Sequence, residues 1–434
     1  MPLRRSARVA LLIAAFAASG LSGYFLEGAK YSYSHSWSMA DPLCGFLALV
    51  TLGLTVGGKW RLDAPAWWMA AYVGMYAFSM TLNATWGSGT ALNFFRTAAW
   101  SAVLYVVVCN ALFDTRDLKW FYWLATFVGL SVTLNGLFVI VKQWSVRFTN
   151  VIPVLGGSTN TLNSWGFVLV MFLAIAVAWW LQSPATIYRA MTCVVMAAGV
   201  ALSLSRTAYT CLALILLFAA ASARRRNVAI IVLVVSAMGG ALWVTISQSG
   251  EAVPAVAKFM GHKAATYKSD LNDTRLDALT IDPLMAWVRE RPRVWIIGDG
   301  VSQQHNLLIN CLWMTGIIGT FVMVGYHVAI FQKSLKLWRA ERRVRLALAN
   351  LGPMFFALIL VMLLDDLLTN LRNHSSVVAY TFAVLAGGLS SPGALSNCRH
   401  SITPRIAALA TGGGRIQAGL RSWKRDQKLV RANH

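Results

Sequence analysis

Apolar residues along this chain gather into runs of about 18 to 25, separated by short polar stretches. The segments of about ten alternating residues that build a β-barrel, with their turn signals, are missing. A run of this length crosses the hydrocarbon of a bilayer as a helix. Lipid offers the backbone no partner, so the helix must satisfy its own amides. The pattern predicts an all-α polytopic membrane protein with twelve spans. They fall at roughly 7–26, 40–57, 64–86, 93–113, 119–142, 160–182, 186–204, 206–222, 227–246, 304–332, 346–366 and 372–392.

The chain divides into four regions: spans one to nine over 1–246, a long connection over 247–303, spans ten to twelve over 304–392, and a tail over 393–434. The N-terminus, MPLRRSARVALLIAAFAASGLSG, has the basic start and small residues of a secretory signal. It is read here as an uncleaved first span, which the eleven later spans complete. The long connection is not low-complexity. IDPLMAWVRERPRVW sets Leu284, Trp287, Val288 and Arg291 at helical spacing, so it predicts amphipathic helices at the membrane interface, broken by Pro254, Pro283 and Pro292. The tail is a basic arm suited to anionic lipid.

Composition agrees with the pattern: 57% of the 434 residues are hydrophobic and 12% charged. The net charge of +22 would suit nucleic acid, but its distribution excludes that partner and points to membrane lipids. With the N-terminus in the cytoplasm, 25 of the 38 Lys and Arg fall in cytoplasmic loops and the tail, as the positive-inside rule requires. Both termini are then cytoplasmic. The other thirteen, among them Arg96, Arg147, Arg206, Arg275, Arg289, Arg291, Arg293 and Arg372, lie on or near the outer face, where topology does not require them. The six cysteines are scattered without metal or redox spacing and read as small buried hydrophobes.

Candidate chemistry concentrates at that outer face. His305 and Asn306 stand where the polar loop GDGVSQQ gives way to the apolar run LLINCLWMTGIIG. A histidine there is partly desolvated, reachable from water and able to take a proton near neutral pH; the plainer reading is that the pair caps and hydrates a helix start. Arg206, in LSLSRTAYTCL, lies between two apolar runs with almost no loop between them. A charge so placed needs a partner, a wet cavity, or a snorkelling path to lipid phosphate. Its planar fork suits a diphosphate. Arg275, in LNDTRLDAL, falls in the first turn of a helix that Asn272 or Asp273 would cap, a ready anion site unless it pairs with Asp277. Arg289, Arg291 and Arg293 with Glu290 fit an interfacial helix, and Arg147 and Arg372 are possible additions to the cluster. Asp365 and Asp366 end the eleventh span on the outer side, and Asp299 and Glu290 are alternative bases. No metal-ligand cluster, P-loop or dinucleotide-binding glycine pattern is present, so no cofactor is expected.

Three stretches in this order, SRTAY with Arg206, RLDALTIDPLMAWVRERP with Arg275, and HNLLINCLWMTGIIG with His305, Asn306, Leu312, Gly316 and Gly319, resemble the superfamily of O-antigen ligases and O-antigen polymerases. NSWGFVLVMF is a weaker fourth match, and the twelve-span plan with a long late periplasmic loop also fits. The approach WIIGDGVSQQ is more polar than the family pattern. The resemblance implies a GT-C-like fold of the bacterial inner membrane that transfers a polysaccharide from undecaprenyl diphosphate, without metal or nucleotide. In that scheme Arg206 and Arg275 hold the donor diphosphate and His305 deprotonates the attacking hydroxyl, with inversion at the anomeric carbon. The acceptor would be lipid A-core for a ligase or a growing glycan for a polymerase; helix count and loop size favour the ligase. Trp37, Trp86, Trp144, Trp287 and Trp295 would stack on sugars or mark the aromatic belt. A transporter, the reading from another class, would place charges near the bilayer midplane in symmetric broken helices, whereas these crowd the outer edge.

Overall fold

A computed structural model describes residues 3–22, 38–142, 152–154, 158–160, 162–182, 187–203, 208, 211–213, 215, 292–300, 307–341 and 375–391. Helices dominate. They are α1 (Arg5–Leu21), α2 (Ala40–Val56), α3 (Ala64–Leu82), α4 (Gly89–Ala111), α5 (Thr115–Lys142), α6 (Leu162–Gln182), α7 (Ile187–Leu202), α8 (Pro292–Ile297), α9 (Leu307–Glu341) and α10 (Ser375–Ser390). Three segments within them, Ala91–Ala111, Arg116–Phe138 and Cys311–Leu335, are long and apolar enough to cross a membrane; Ala40–Val56, Trp165–Trp180, Ile187–Ala201 and Val378–Ser390 are shorter apolar helices. α1 to α7, α9 and α10 fall on nine of the twelve predicted runs. The runs at 227–246 and 346–366, most of 206–222, all three region boundaries and the tail lie outside the described residues.

Two differences from the sequence reading have physical reasons. α9 does not stop near 332 but continues to Glu341, because Lys333, Leu335, Lys336, Leu337 and Arg339 are good helix formers. Charge ends the apolar run there without ending the helix. The all-α expectation also misses a small antiparallel pair, β1 (Ile152–Val154) with β2 (Ser158–Asn160), in which Ile152 faces Asn160. Its connection, Leu-Gly-Gly in sequence, is of the short glycine-containing kind that closes hairpins.

The bundle is built around α4, which packs against α1, α2, α3 and α10, while α5, α6 and α7 form a neighbouring group and α9 lies on α3. Small residues set the closest approaches, as expected where helices associate through van der Waals fit. A Cβ at Gly387 would come within 2.7 Å of the Tyr105 carbonyl oxygen, and one at Gly136 within 2.3 Å of the Trp165 ring. α1 belongs to this bundle, with Leu12, Ala15 and Phe16 buried. Cys44, Cys109, Cys193, Cys211 and Cys311 are buried thiols, in keeping with the hydrophobe reading.

Polar residues collect at the two ends of the helices. At one end, Asp114 and Asp117 form a reciprocal capping box on α5. The Asp117 N–H donates to Asp114 Oδ1 (2.9 Å), and the Asp114 N–H donates back to Asp117 Oδ2 (3.2 Å). Arg8 of α1 closes this box, its Nε donating to Asp117 Oδ2 (2.9 Å) and its Nη2 to Asp114 Oδ2 (3.0 Å). Close by in the fold's layout, Asp63 caps α3 through the Ala66 N–H (3.0 Å), accepts the Tyr105 hydroxyl (2.8 Å) and is ion-paired with Lys333 of α9. At the opposite end, Asp41 accepts the Ser38 N–H (2.6 Å) and the Trp100 indole N–H (2.8 Å), and pairs with Arg96 (3.2 Å). The start of α1, the α2–α3 and α4–α5 connections and Lys333 thus share one end, as alternating spans demand.

Asp117 is fully buried and the Arg8 side chain 8% exposed, so removing one partner strands the other charge. Asp117→Asn is expected to destabilise the protein by about 3 kcal/mol, read as an earlier melting transition of the purified protein in detergent. Arg116→Gln, an exposed neighbour, should leave that transition in place.

Candidate functional site

All nine residues singled out as a site, Arg147, Arg206, Arg275, Arg289, Arg291, His305, Asn306, Asp365 and Arg372, lie outside the described residues, as do Glu290 and Asp366. What the structure describes is the frame on either side of three of the motif stretches. Its most complete part is the approach to His305.

That approach begins at α8, whose first residue is Pro292, a position where its missing N–H costs no hydrogen bond. The predicted break at Pro292 is therefore a helix start. Gly298 (φ 76°) ends α8 in the left-handed region, and Gly300 (φ 79°) repeats that conformation two residues on. Between them the chain lies along α9 where that helix is interrupted. Gly316, at φ 67° and ψ −171°, breaks the i→i−4 ladder and leaves the carbonyls of Trp313 and Met314 without their helical donors. The Asp299 N–H donates to the Trp313 oxygen (2.8 Å) and the Gly300 N–H to the Met314 oxygen (3.2 Å), so the incoming segment replaces the missing turn. Neither glycine can be exchanged freely. A Cβ at Gly298 would stand 2.3 Å from the Met314 carbonyl carbon, and one at Gly316 would stand 2.2 Å from that of Ile296.

One face of α3 completes the clasp. Ser79 Oγ donates to the Met314 oxygen (2.8 Å), and Asn83 Nδ2 donates both to the Gly298 oxygen and to the Ser79 oxygen (2.9 Å each). The Tyr76 hydroxyl sits 3.2 Å from the carbonyl oxygens of Gly300 and Ala91, with one proton to share between them. Tyr72, below on the same face, meets Cys311 Sγ at 3.5 Å. The spacing Tyr72, Tyr76, Ser79, Asn83 is a helical stripe of polar groups inside an apolar span, a signal legible in the sequence that the search for charges passed over. The result is a backbone held at Gly300 and again from Leu307 onward, with six residues, Val301 to Asn306, between the two holds.

Of the acids and aromatics proposed for this face, Asp299 is half-buried with its backbone N–H committed to the clasp. Arg293 is exposed on α8. Trp86, on the single turn of 3-10 helix Thr85–Gly87, is 42% exposed; its indole N–H donates to Thr81 Oγ1 (3.1 Å) and its ring meets Phe95 edge-on (5.3 Å). Trp295 is half-buried, and Trp37, Trp144 and Trp287 lie outside the described residues. Arg96 has an assigned structural partner in Asp41, so it leaves the group of basic residues lacking a reason for their position.

The flanks of Arg206 are also described. A Cβ at Gly166 would meet Ser203 Oγ at 2.3 Å and Ala208 Cβ at 3.1 Å, so the residues on either side of Arg206 pack directly on α6. Gly166 and Trp165 belong to NSWGFVLVMF, which places that stretch against Ser203, just before SRTAY, and against Ala208 within it. Trp165 is in turn fixed by its indole N–H on the Val132 oxygen (3.1 Å). No family model matches the chain, and no curated protein matches it either.

Gly298→Ala and Gly316→Ala each add a methyl group where backbone already lies, at a positive φ. Each is expected to cost about 3 kcal/mol or more from strain and overpacking together. Gly74→Ala, whose Cβ meets nothing within 4 Å, serves as the neutral comparison. Thermal unfolding of the three purified variants in detergent checks the contrast, and equal midpoints for all three would refute the clasp.

Proposed function

We propose that this chain is an O-antigen ligase of the bacterial inner membrane. It would move a polysaccharide from undecaprenyl diphosphate onto a lipid A-core hydroxyl at the periplasmic face. The fold proposed with it has twelve spans, both termini in the cytoplasm and the 247–303 connection outside. What supports the reading is the ordered set of three motif stretches. The observation that carries it furthest is the clasp that holds the chain on both sides of His305, since a base must be held to within a fraction of an ångström to act.

In this mechanism the acceptor oxygen attacks the anomeric carbon as His305 takes its proton, and the bond to the diphosphate breaks on the opposite face. The electron pair leaves with undecaprenyl diphosphate, and the sugar carbon is inverted. Arg206 and Arg275 bind the diphosphate oxygens and stabilise the charge that develops there, a role in which a fixed bidentate fork outperforms a point charge. Asn306 beside the base, and Arg147, Arg289, Arg291, Asp365 and Arg372 around the donor, are supporting positions. Two arginines neutralising a diphosphate make it a competent leaving group, so the scheme needs neither cofactor nor nucleotide.

His305→Ala is expected to abolish transfer by the purified protein while it still inserts and accumulates, and undiminished transfer by that variant would remove the base assignment. Arg206→Lys should lose activity by about a hundredfold. In a deletion strain, loss of the ligated glycan ladder with lipid-linked polymer surviving is the ligase result. A single-repeat product on lipid A-core would instead make the protein a polymerase.

A further inference from the structure

Arg189 differs from the other well-placed arginines of the bundle. Arg8 and Arg96 each face a carboxylate, whereas Arg189 pairs with none among the described residues. The α6–α7 region, residues 162–203, contains no Asp or Glu at all. Its guanidinium is nevertheless tightly held. The carbon at its centre lies 4.1 Å from the centroid of the Trp179 ring and 5.6 Å from that of Tyr188. Nη1 donates to the Trp179 carbonyl (3.3 Å), one of the last acceptors of α6, and Nε donates to the Tyr188 hydroxyl (3.1 Å). Trp179 is itself immobilised, stacked on Tyr122 at 6.0 Å and 7° and met edge-on by Trp123 at 5.7 Å. Among the described residues Nη2 has no partner, on a half-buried cation oriented by aromatic rings.

The surroundings match one kind of molecule. Arg189 sits near the start of α7 and the end of α6, level with the start of α5 and so with the Arg8–Asp117 end of the bundle. On α5, Lys119, Trp120 and Trp123 share an exposed face, adding a second cation and the amphipathic rings typical of headgroup depth. From Trp123, whose ring meets Trp179 beneath Arg189, the exposed face of α5 continues one turn on through Phe127 (65% exposed), an apolar surface leading away from that end. We infer that this corner binds an anionic phospholipid. Its phosphate would take Nη2 of Arg189 and the ammonium of Lys119, one turn before Trp123, and its acyl chains would lie along the exposed side of α5. A free phosphate would gain the cations but none of the apolar surface, and a zwitterionic headgroup would bring its own cation against Arg189. The inference rests on the membrane placement alone and is independent of the transferase reading.

The full chain, purified in mild detergent, is mixed with dioleoyl phosphatidylglycerol or with phosphatidylcholine of the same chains, and retained lipid is counted by native mass spectrometry. Phosphatidylglycerol is expected to stay bound and phosphatidylcholine to be lost. Arg189→Gln should lower phosphatidylglycerol retention about fivefold, and Lys59→Gln, exposed at the same end but away from the corner, should not change it. Equal retention of the two lipids overturns the proposal, as does an unchanged Arg189→Gln or an equal loss in Lys59→Gln. If Arg189→Gln does not accumulate, Arg189→Lys keeps the charge and loses the fork; retention equal to that of the unaltered protein would then overturn it. Displacement of the lipid by millimolar inorganic phosphate would reduce the corner to a phosphate site and likewise overturn it.

Discussion

A helix inside a bilayer cannot be interrupted unless something else takes up the hydrogen bonds it gives up, and a densely bonded feature among the described residues is the solution to that problem. Gly316 interrupts α9, and the carbonyls of Trp313 and Met314 lose their helical donors. The amides of Asp299 and Gly300 and the hydroxyl of Ser79 take their place. In hydrocarbon an unsatisfied amide costs several kcal/mol, so break and clasp are mutually dependent. The break therefore does more than bend a helix. It makes an attachment point for the only described segment that arrives from the long connection, and it does so a few residues from the one histidine at that mouth.

The same constraint governs the charges. Asp41, Asp63, Asp114 and Asp117 are each multiply engaged, as caps of helix starts, as acceptors of indole or phenol protons, or as partners of Arg96, Lys333 and Arg8. A carboxylate in such a position is tolerated because at least one of its oxygens is multiply bonded and it faces a cation; an arginine opposite it is then fixed in place by that pairing. Arg96 illustrates the consequence for function. The positive-inside rule left its position unexplained, and Asp41 supplies a structural reason for it. Arg189 has no such acid among the described residues and is held by rings and a helix end, which is why a ligand from outside the protein is the natural complement to its charge.

Helices were legible because a long apolar run favours a backbone that satisfies its own amides, and α1 to α7, α9 and α10 fall where such runs fall, three of them long and apolar enough to cross a membrane. What was not legible depends on partners far apart in the chain. Asp63 meets Lys333 across 270 positions and Ser19 meets Thr381 across 362, and neither local pattern nor charge spacing announces such a pair. The extension of α9 to Glu341 was hidden for a different reason: hydropathy marks where lipid ends, whereas helix propensity marks where the helix ends. The stripe Tyr72, Tyr76, Ser79, Asn83 was readable in principle, since its spacing is helical, but a search for ionisable groups gives neutral hydrogen-bonders no weight. His305, Arg206 and Arg275 are read from sequence; the structure contributes the flanks of His305 and Arg206, whereas Arg275 and its neighbours lie outside the described residues.

That framework divides the motif stretches into two kinds of residue. Gly298, Gly300 and Gly316 have backbone conformations or neighbours that admit no side chain, and Gly166 is pressed against Ser203 and Ala208, so their presence is explained by packing whatever the protein does. Trp165, buried with its indole N–H donated to a backbone carbonyl, belongs with them. Packing of this kind fixes the backbone at Gly300, Ser203 and Ala208, all within five residues of His305 or Arg206, and does so with neutral groups. For the transfer proposed above, rigid neutral residues on either side of a single ionisable group are the support that a preorganised site requires.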